Sequence, residues 1–268
     1  MNLQRYIKEI RKEGRRCFTI EELLERFKVS RNYARVAVHR LLVSGDVISP
    51  ARGLYVIVPP EYQSYGSIPA EELVPLLMKY LNIDYYVALL SAAAFHGASH
   101  QKPARFQVIS SKRIHHSLTF GDVELELIYK KSLSNLPTQK FTVNTGYLKV
   151  STPELVILDL LSYPNHAGGL NHIATVLSEL IENVDVEKLI AIARQVNAEY
   201  QLQRLGYILD KIEVMDEDKK DSIVIALSEF LEDNMKHYIP IASEIIKIGY
   251  PRCKKWKIIE NAEIESDL

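Results

Sequence analysis

The sequence predicts an α+β fold in two parts, and three observations predict it. Residues 19–58 carry two short helical periodicities, a turn and a hairpin pattern in succession. Residues 106–150 hold segments in which apolar and polar side chains alternate, the period of a strand. After Gly168-Gly169, apolar residues recur at helical spacing four times over. The expected architecture is an N-terminal helix-turn-helix with a wing, then a C-terminal domain with a small, mostly antiparallel sheet and a helical bundle. The expected boundaries are residues 1–62 and 63–268, with the sheet region at about 84–150 and the helical region at about 151–250.

Taken in order, Leu3 to Lys12 reads as a helix with Leu3, Tyr6, Ile7 and Ile10 inward, ended by Gly14. Thr19 and Glu22 form a capping-box pattern, so the next helix starts at Ile20. Ile20, Leu23, Leu24 and Phe27 share one face of it. Lys28 and Val29 make the turn, and Ser30 caps the following helix. There Ala34, Ala37, Val38 and Leu41 fall at i, i+3, i+4 and i+7 and face inward, while Arg31, Asn32, Arg35 and His39 face outward. Gly45 fits the stop, where a left-handed residue is needed. Val47 to Ser49 and Leu54 to Val58 read as strands joined by Pro50-Ala51-Arg52-Gly53. That is the layout of a winged helix-turn-helix, whose second helix enters a DNA major groove.

The outward face suits that use. Arginine bridges guanine O6 and N7, and asparagine bridges adenine N6 and N7. Tyr33 extends the same face. Ser30 and the helix N-terminus suit a phosphate, and Arg52 at the wing tip reaches a phosphate or the minor groove. The alternative is that two amphipathic helices and a hairpin are merely a packing unit. Charge decides between them. Residues 1–58 carry 12 Lys+Arg against 6 Asp+Glu, and the remainder carries 21 against 28. The whole-chain charge of −1 therefore hides a basic head on an acidic body, and a protein that neutralises several phosphates needs such a head.

At 268 residues the chain is long enough for two domains. With 47% hydrophobic and 25% charged residues it reads as an ordinary soluble protein. No apolar run approaches the roughly 20 residues of a membrane span, so no membrane partner is expected. The first residues are charged throughout and show no signal-peptide core. Cys17 and Cys253 stand apart, without metal-ligand spacing. A reduced cytoplasmic setting follows, with no metal and no cofactor.

Beyond the wing, Pro59-Pro60 stops the strand and residues 61–67 read as a linker. A helix over about Ala70–Leu81, kinked by Pro75, belongs to either domain. Asp84 then caps a helix from Tyr85 to Gly97 that is apolar nearly all round. Its end, His96-Gly97, reads either as a C-cap or as a histidine presented in a cleft. Phe106–Ser110, Val123–Tyr129, Lys140–Asn144 and Tyr147–Val150 read as strands, the last two flanking Thr145-Gly146. The loop Lys112-Arg113-Ile114-His115-His116 is either solvated or a phosphate contact. Thr152-Pro153 starts a helix to Leu161 that is apolar except at its ends and at Asp159. A carboxylate there needs a partner, with His96 the first candidate and Arg105 the second. Four apolar stripes follow, beginning at Leu170, Leu189, Leu202 and Ile223, and they are core. The basic end, Lys247 to Lys257 with Trp256, reads as docking on the body or as a second phosphate surface.

No P-loop, dinucleotide, nucleophile-elbow or zincin motif occurs. Glu124, Glu126 and Lys130 share a strand face, the arrangement a metal nuclease wants, but Glu126 to Lys130 is too long for the common acid-x-Lys spacing. No catalytic residue is assigned. The open alternatives are a nucleic-acid-modifying enzyme targeted by the winged unit, and a ligand-sensing regulator.

Three stretches together resemble one family. They are Leu41–Ile48 continuing through Arg52–Val56, then Tyr86–Gly97 with Gln101-Lys102-Pro103, then Val150–Leu161. They are similar to the AbiEi antitoxins of type IV toxin–antitoxin and phage abortive-infection systems, over about residues 5 to 165. The resemblance implies a winged helix that represses its own promoter at inverted repeats of double-stranded DNA. It also implies a C-terminal domain that counteracts a nucleotidyltransferase-type toxin without a stable complex. His96, Gly97, Thr152, Pro153 and Asp159 match the family pattern, in a structural or a functional capacity.

Overall fold

The computed structural model describes residues 2–98, 103–114 and 118–265. Its elements are mixed α and β, and they cluster into two compact units. The first comprises residues 1–87, 104–134 and 140–149, and the second residues 88–103, 135–139 and 150–268. This division differs from the expected cut between residues 62 and 63, because the N-terminal unit takes in most of the sheet.

The first unit begins with helix α1 (Leu3–Lys12), strand β1 (Cys17–Thr19), helices α2 (Ile20–Phe27) and α3 (Arg31–Val43), and strands β2 (Val47–Ala51) and β3 (Leu54–Ile57). The three strands form a sheet in the order β1-β3-β2, antiparallel throughout. Leu3, Tyr6, Ile7, Ile10, Ile20, Leu23, Ala34, Val38 and Leu41 are buried in one cluster, with Leu24, Phe27 and Ala37 packed against it. The predicted inward faces of all three helices are thus the inward faces observed. Strand β1 was not predicted: three residues bounded by arginines on one side and a helix cap on the other carry no period. Pro50 also lies within β2 and not in the turn, at an irregularity of register between Ile48 and Ala51, the kind of place where a strand tolerates proline.

Helix α4 (Ala70–Leu81), left unassigned by the sequence, belongs to this first unit and packs on β2 and β3. The segment before it, Pro60–Tyr65, is a turn of 3₁₀ helix. Gly66 and Gly121 meet there. A Cβ on Gly121 would lie 2.0 Å from the Tyr65 carbonyl oxygen, so only glycine fits.

The second sheet runs β6-β7-β5-β4-β9-β8, from β4 (Tyr85–Val87), β5 (Phe106–Ser110), β6 (Leu118–Phe120), β7 (Val123–Tyr129), β8 (Thr138–Val143) and β9 (Gly146–Ser151). Tyr85–Val87 corrects the expected single helix from Tyr85 to Gly97. Only α5 (Leu89–Phe95) is helical, after a reversal in which Leu89 adopts φ 52°. A short apolar run cannot be divided into strand and helix by periodicity; the aromatic and β-branched Tyr-Tyr-Val goes to the sheet. The β5–β7 pair is parallel, while β4–β5 and β6–β7 are antiparallel. β7 buries Leu125 from one face and Ile128 from the other, so it is not the half-buried strand that its alternation implies.

The second unit is helical. Around α6 (Pro153–Ser162) lie α7 (Leu170–Leu180), α8 (Val186–Val196) and α9 (Glu199–Leu209), and α10 (Glu217–Asn234) packs on α8 and α9. The four predicted stripes supply its core, with Ile173, Leu177, Leu189, Leu202, Leu205, Ile223 and Leu227 buried. A small sheet of β10 (Ile239–Pro240), β12 (Ile258–Ile259) and β11 (Arg252–Cys253) follows. Trp256 is buried against Gly206 of α9, where a Cβ would come within 2.3 Å of the indole. Its Nε1 donates to Asp210 at 2.6 Å. The docking reading of the basic end therefore holds at Trp256. No helix among the described residues is long and apolar enough to cross a membrane.

Candidate nucleic-acid interface

The turn and caps that set α3 are made by the residues expected. Thr19 Oγ1 accepts from the Glu22 amide at 3.2 Å, starting α2. The reciprocal half of the capping box is absent from that hydrogen-bond pattern. The Glu22 carboxylate instead accepts from Arg15 at 2.6 Å and from the Tyr6 hydroxyl at 3.2 Å, which joins α1 to α2. Burial, and then the charge of Glu22, pushes the Tyr6 phenol up. Lys28 takes the left-handed conformation at φ 51°. Ser30 Oγ accepts from the Tyr33 amide at 3.3 Å, and Gly45 is left-handed one residue beyond the C-cap of α3.

With Ala34, Val38 and Leu41 turned in, α3 presents Arg31, Asn32, Tyr33, Arg35, Val36, His39 and Arg40 to solvent. Beside it stands the wing, closed by a two-residue tip of Arg52 and Gly53 between β2 and β3. Gly53 has φ +90°, and a Cβ there would come within 2.9 Å of the Tyr80 hydroxyl. Two donors hold the tip. The Ile20 amide, one of the unpaired N–H groups at the start of α2, donates to Gly53 O at 2.9 Å. The Tyr80 hydroxyl donates to Arg52 O at 2.9 Å. Arg52 itself is exposed at this anchored tip.

The predicted residues Ser30, Arg31, Asn32, Tyr33, Arg35, His39 and Arg52 are thus all exposed, on α3 or at the wing tip. Arg31 is already engaged: its guanidinium meets Glu21 at 2.6 Å, both side chains about half exposed. Burial raises the Tyr55 phenol, with the charges of Arg35 and Arg31 opposing and Glu21 adding to the rise. Glu21, Tyr55 and Tyr80 were missed by the sequence reading. The only available signal was Gly53, whose positive φ marks the tip that Tyr80 anchors.

The C-terminal motif forms a second cluster. His96 is the C-cap of α5 and Gly97 follows at φ +79°, the left-handed ending that the cap reading expects. The ring Nε2 of His96 lies 2.7 Å from Ser151 O. Ser151 precedes Thr152, at the N-cap position of α6, and Pro153, its first residue. His96, Gly97, Thr152 and Pro153 therefore meet where α5 ends and α6 begins. Thr152 does not cap with its side chain; its Oγ1 is buried without a hydrogen-bond partner. Asp159 lies about 10 Å farther along α6, from the helical rise, and is 1% exposed. Its charge helps burial raise the Tyr163 phenol. Arg105 is paired with Glu124 at 2.9 Å.

The remaining candidates are also engaged. Gln107 donates to Glu126 at 2.9 Å, and Lys130 to the Tyr86 hydroxyl at 3.4 Å. Lys112 donates to Asn82 O at 3.3 Å, and Arg113 stacks over the Tyr129 ring at 4.7 Å. His115, His116, Gln101 and Lys102 lie outside the described residues. Among the described residues no group of three His, Cys, Asp or Glu is placed to hold a metal ion.

Residues 86–211 match the family described as the AbiEi antitoxin C-terminal domain. Among solved structures, the RV2827C protein from Mycobacterium tuberculosis is similar at TM-score 0.65 and 15% identity, over 96% of this chain and 90% of that one. This likeness concerns the fold. An antigenic nucleotidyltransferase-like protein from Paracoccidioides brasiliensis matches at TM-score 0.31 and 15% identity, over 42% of this chain and 73% of that one. No curated protein matches in sequence.

Proposed function

We propose that this chain, whose residues 86–211 match the AbiEi antitoxin C-terminal domain, is a DNA-binding autorepressor and antitoxin. In this reading α3 and the wing bind inverted repeats in the chain's own promoter. The remainder counteracts a nucleotidyltransferase-type toxin in phage defence, in the cytoplasm and without a stable complex. The chain acts as a regulator and not as a catalyst. The observation that carries the DNA half is the row Arg31, Asn32, Tyr33, Arg35 and His39, exposed beside a wing tip that bears Arg52. Three inward residues hold α3 and leave this row unburied, in a segment of net positive charge.

The test is a titration of the full chain on its own promoter at several salt concentrations. Arg31→Ala and Arg35→Ala each remove about 1–3 kcal/mol of base discrimination where the arginine reads guanine. Arg52→Ala weakens binding to all sequences alike and flattens the salt dependence. If the Arg31→Ala, Arg35→Ala double variant binds as well as wild type, the recognition helix is misassigned. The same double variant, co-expressed with a nucleotidyltransferase-type toxin that the wild-type chain neutralises, still rescues growth. Loss of rescue at wild-type protein level breaks the separation between the DNA and antitoxin surfaces.

A further inference from the structure

We infer that a cleft behind the wing in the first unit is a binding site for a small organic anion, a carboxylate or phosphate carried on an apolar or aromatic body. The cleft encloses about 570 Å³, within the range of small-molecule sites. Arg16 and Lys79 line it together with Leu54, Leu76, Tyr80 and Cys17. Its acid, Glu22, is neutralised by Arg15 at 2.6 Å. Arg16 and Lys79 have no such counter-ion. Among the described residues neither side chain makes a hydrogen bond or an ion pair, and Arg16 is half withdrawn from water. Two cations so placed, with the local carboxylate already taken, favour an incoming anion through charge-assisted hydrogen bonds.

Leu76 and the Tyr80 ring, both partly exposed, set the rest of the ligand, while Leu54 is already buried. A bare inorganic ion would leave Leu76 and the Tyr80 ring wetted, whereas an apolar or planar body covers them. The charges also reach the interior of the cleft. Burial raises the Cys17 thiol, while Arg15 and Lys79 hold it down. Tyr80 is the same residue whose hydroxyl holds Arg52 at the wing tip, so an occupant touches a group that fixes the wing. The inference stands on the cleft itself and does not require that α3 bind DNA.

The experiment uses the full chain and 8-anilinonaphthalene-1-sulfonate, an aromatic anion of this class, with alkylation by N-ethylmaleimide as the site-specific readout. Cys17 lines the cleft, and Cys253, half-buried in the other unit, is an internal reference. Saturable binding of one dye per chain is expected, with alkylation of Cys17 slowed several-fold and that of Cys253 unchanged. Arg16→Ala with Lys79→Ala should weaken the dye by about tenfold or more, since two charge-assisted contacts are lost. It should also abolish the protection, with the Cys253 rate unchanged as the sign of an intact fold. The uncharged analogue N-phenyl-1-naphthylamine should protect Cys17 less at equal concentration. Equal protection of both cysteines, no protection, or a double variant that binds like wild type each overturns the site.

Discussion

Helices α3 and α6 are comparable in length, 13 and 10 residues, and use their side chains in opposite ways. α3 buries Ala34, Val38 and Leu41 and shows most of the rest to solvent, whereas α6 buries nine of its ten residues, Glu154 and Asp159 included. A helix that offers a surface for binding must be held by a minority of its residues. Here a serine cap, a left-handed turn and one narrow stripe hold α3. A helix at the centre of a unit has no such spare face. Substitutions on the outside of α3 should therefore change binding and leave stability alone. Substitutions in α6 should change stability first, and activity only through the amount of folded protein.

The largest expected effect tests the α6 side. Leu155 is fully buried, and Leu155→Ala removes that packing and leaves a cavity, at a cost of about 2–5 kcal/mol. Chemical denaturation should show the loss, while promoter binding measured below the melting temperature stays at wild-type affinity. A variant that melts normally but fails to rescue cells from the toxin would place a functional surface on α6 and break the comparison.

Alkaline pH attacks both units by the same physics and so serves as a control. Burial pushes Tyr85 in the first unit up to about 12, an amide of Lys149 partly opposing it. Burial and Glu260 push Tyr207 in the second up to about 12. Both folded values lie above the unfolded one of about 10. The stability they confer is thus fully present below pH 10 and is lost as pH rises through about 12. Each contributes about 1.4 kcal/mol per pH unit across that window. Tyr85→Phe and Tyr207→Phe should each flatten the fall in stability, read by denaturant melts at successive pH values. An unchanged slope in both variants would show that neither phenol is withdrawn from water.

What the sequence could disclose divides along the same line. The faces of α1, α2 and α3, the cap at Ser30 and the stripes of α7–α10 were legible because each is a local rule of period or end chemistry. The turn at Tyr85–Leu89 was not, since the six apolar residues from Tyr85 to Leu90 look alike as strand or helix until a sheet claims some of them. The parallel β5–β7 pair was hidden too, because strand direction depends on a connection and not on composition. At the site, the exposed residues were legible and their restraints were not. Arg31 meets Glu21 across a turn, and Tyr80 reaches Arg52 across 28 residues. Gly53 beside Arg52 marks the tip, but nothing near Glu21 or Tyr80 announces those contacts.

A smaller effect concerns Asp159. It is buried, and its charge is felt at Tyr163. Asp159→Asn keeps the shape and changes the hydrogen bonding, so a cost of about 1–3 kcal/mol is expected for a buried group left unsatisfied. Thermal melts beside a toxin-rescue assay decide its role. Rescue should fall only as far as folded protein falls; normal melting with lost rescue would make Asp159 a direct participant.

The smallest effect bears on α3 alone. Glu21 and Arg31 are half exposed, and ion pairs of that kind are worth about 0.2–1 kcal/mol. Glu21 is nonetheless badly placed for a DNA-binding face, because it occupies the arginine that would meet a base or phosphate and adds a negative charge of its own. Glu21→Gln should leave the melting temperature unchanged. It should tighten promoter binding by a few-fold, the size that the pair's modest worth permits, and steepen the salt dependence, since one more cation is free to displace a counter-ion. Combining it with Arg31→Ala should abolish the gain, because the gain acts through Arg31. If Glu21→Gln instead weakens binding and relaxes base discrimination, then Glu21 aims Arg31 at its base, and α3 relies on a neighbour's side chain as well as its own inward stripe to present its face.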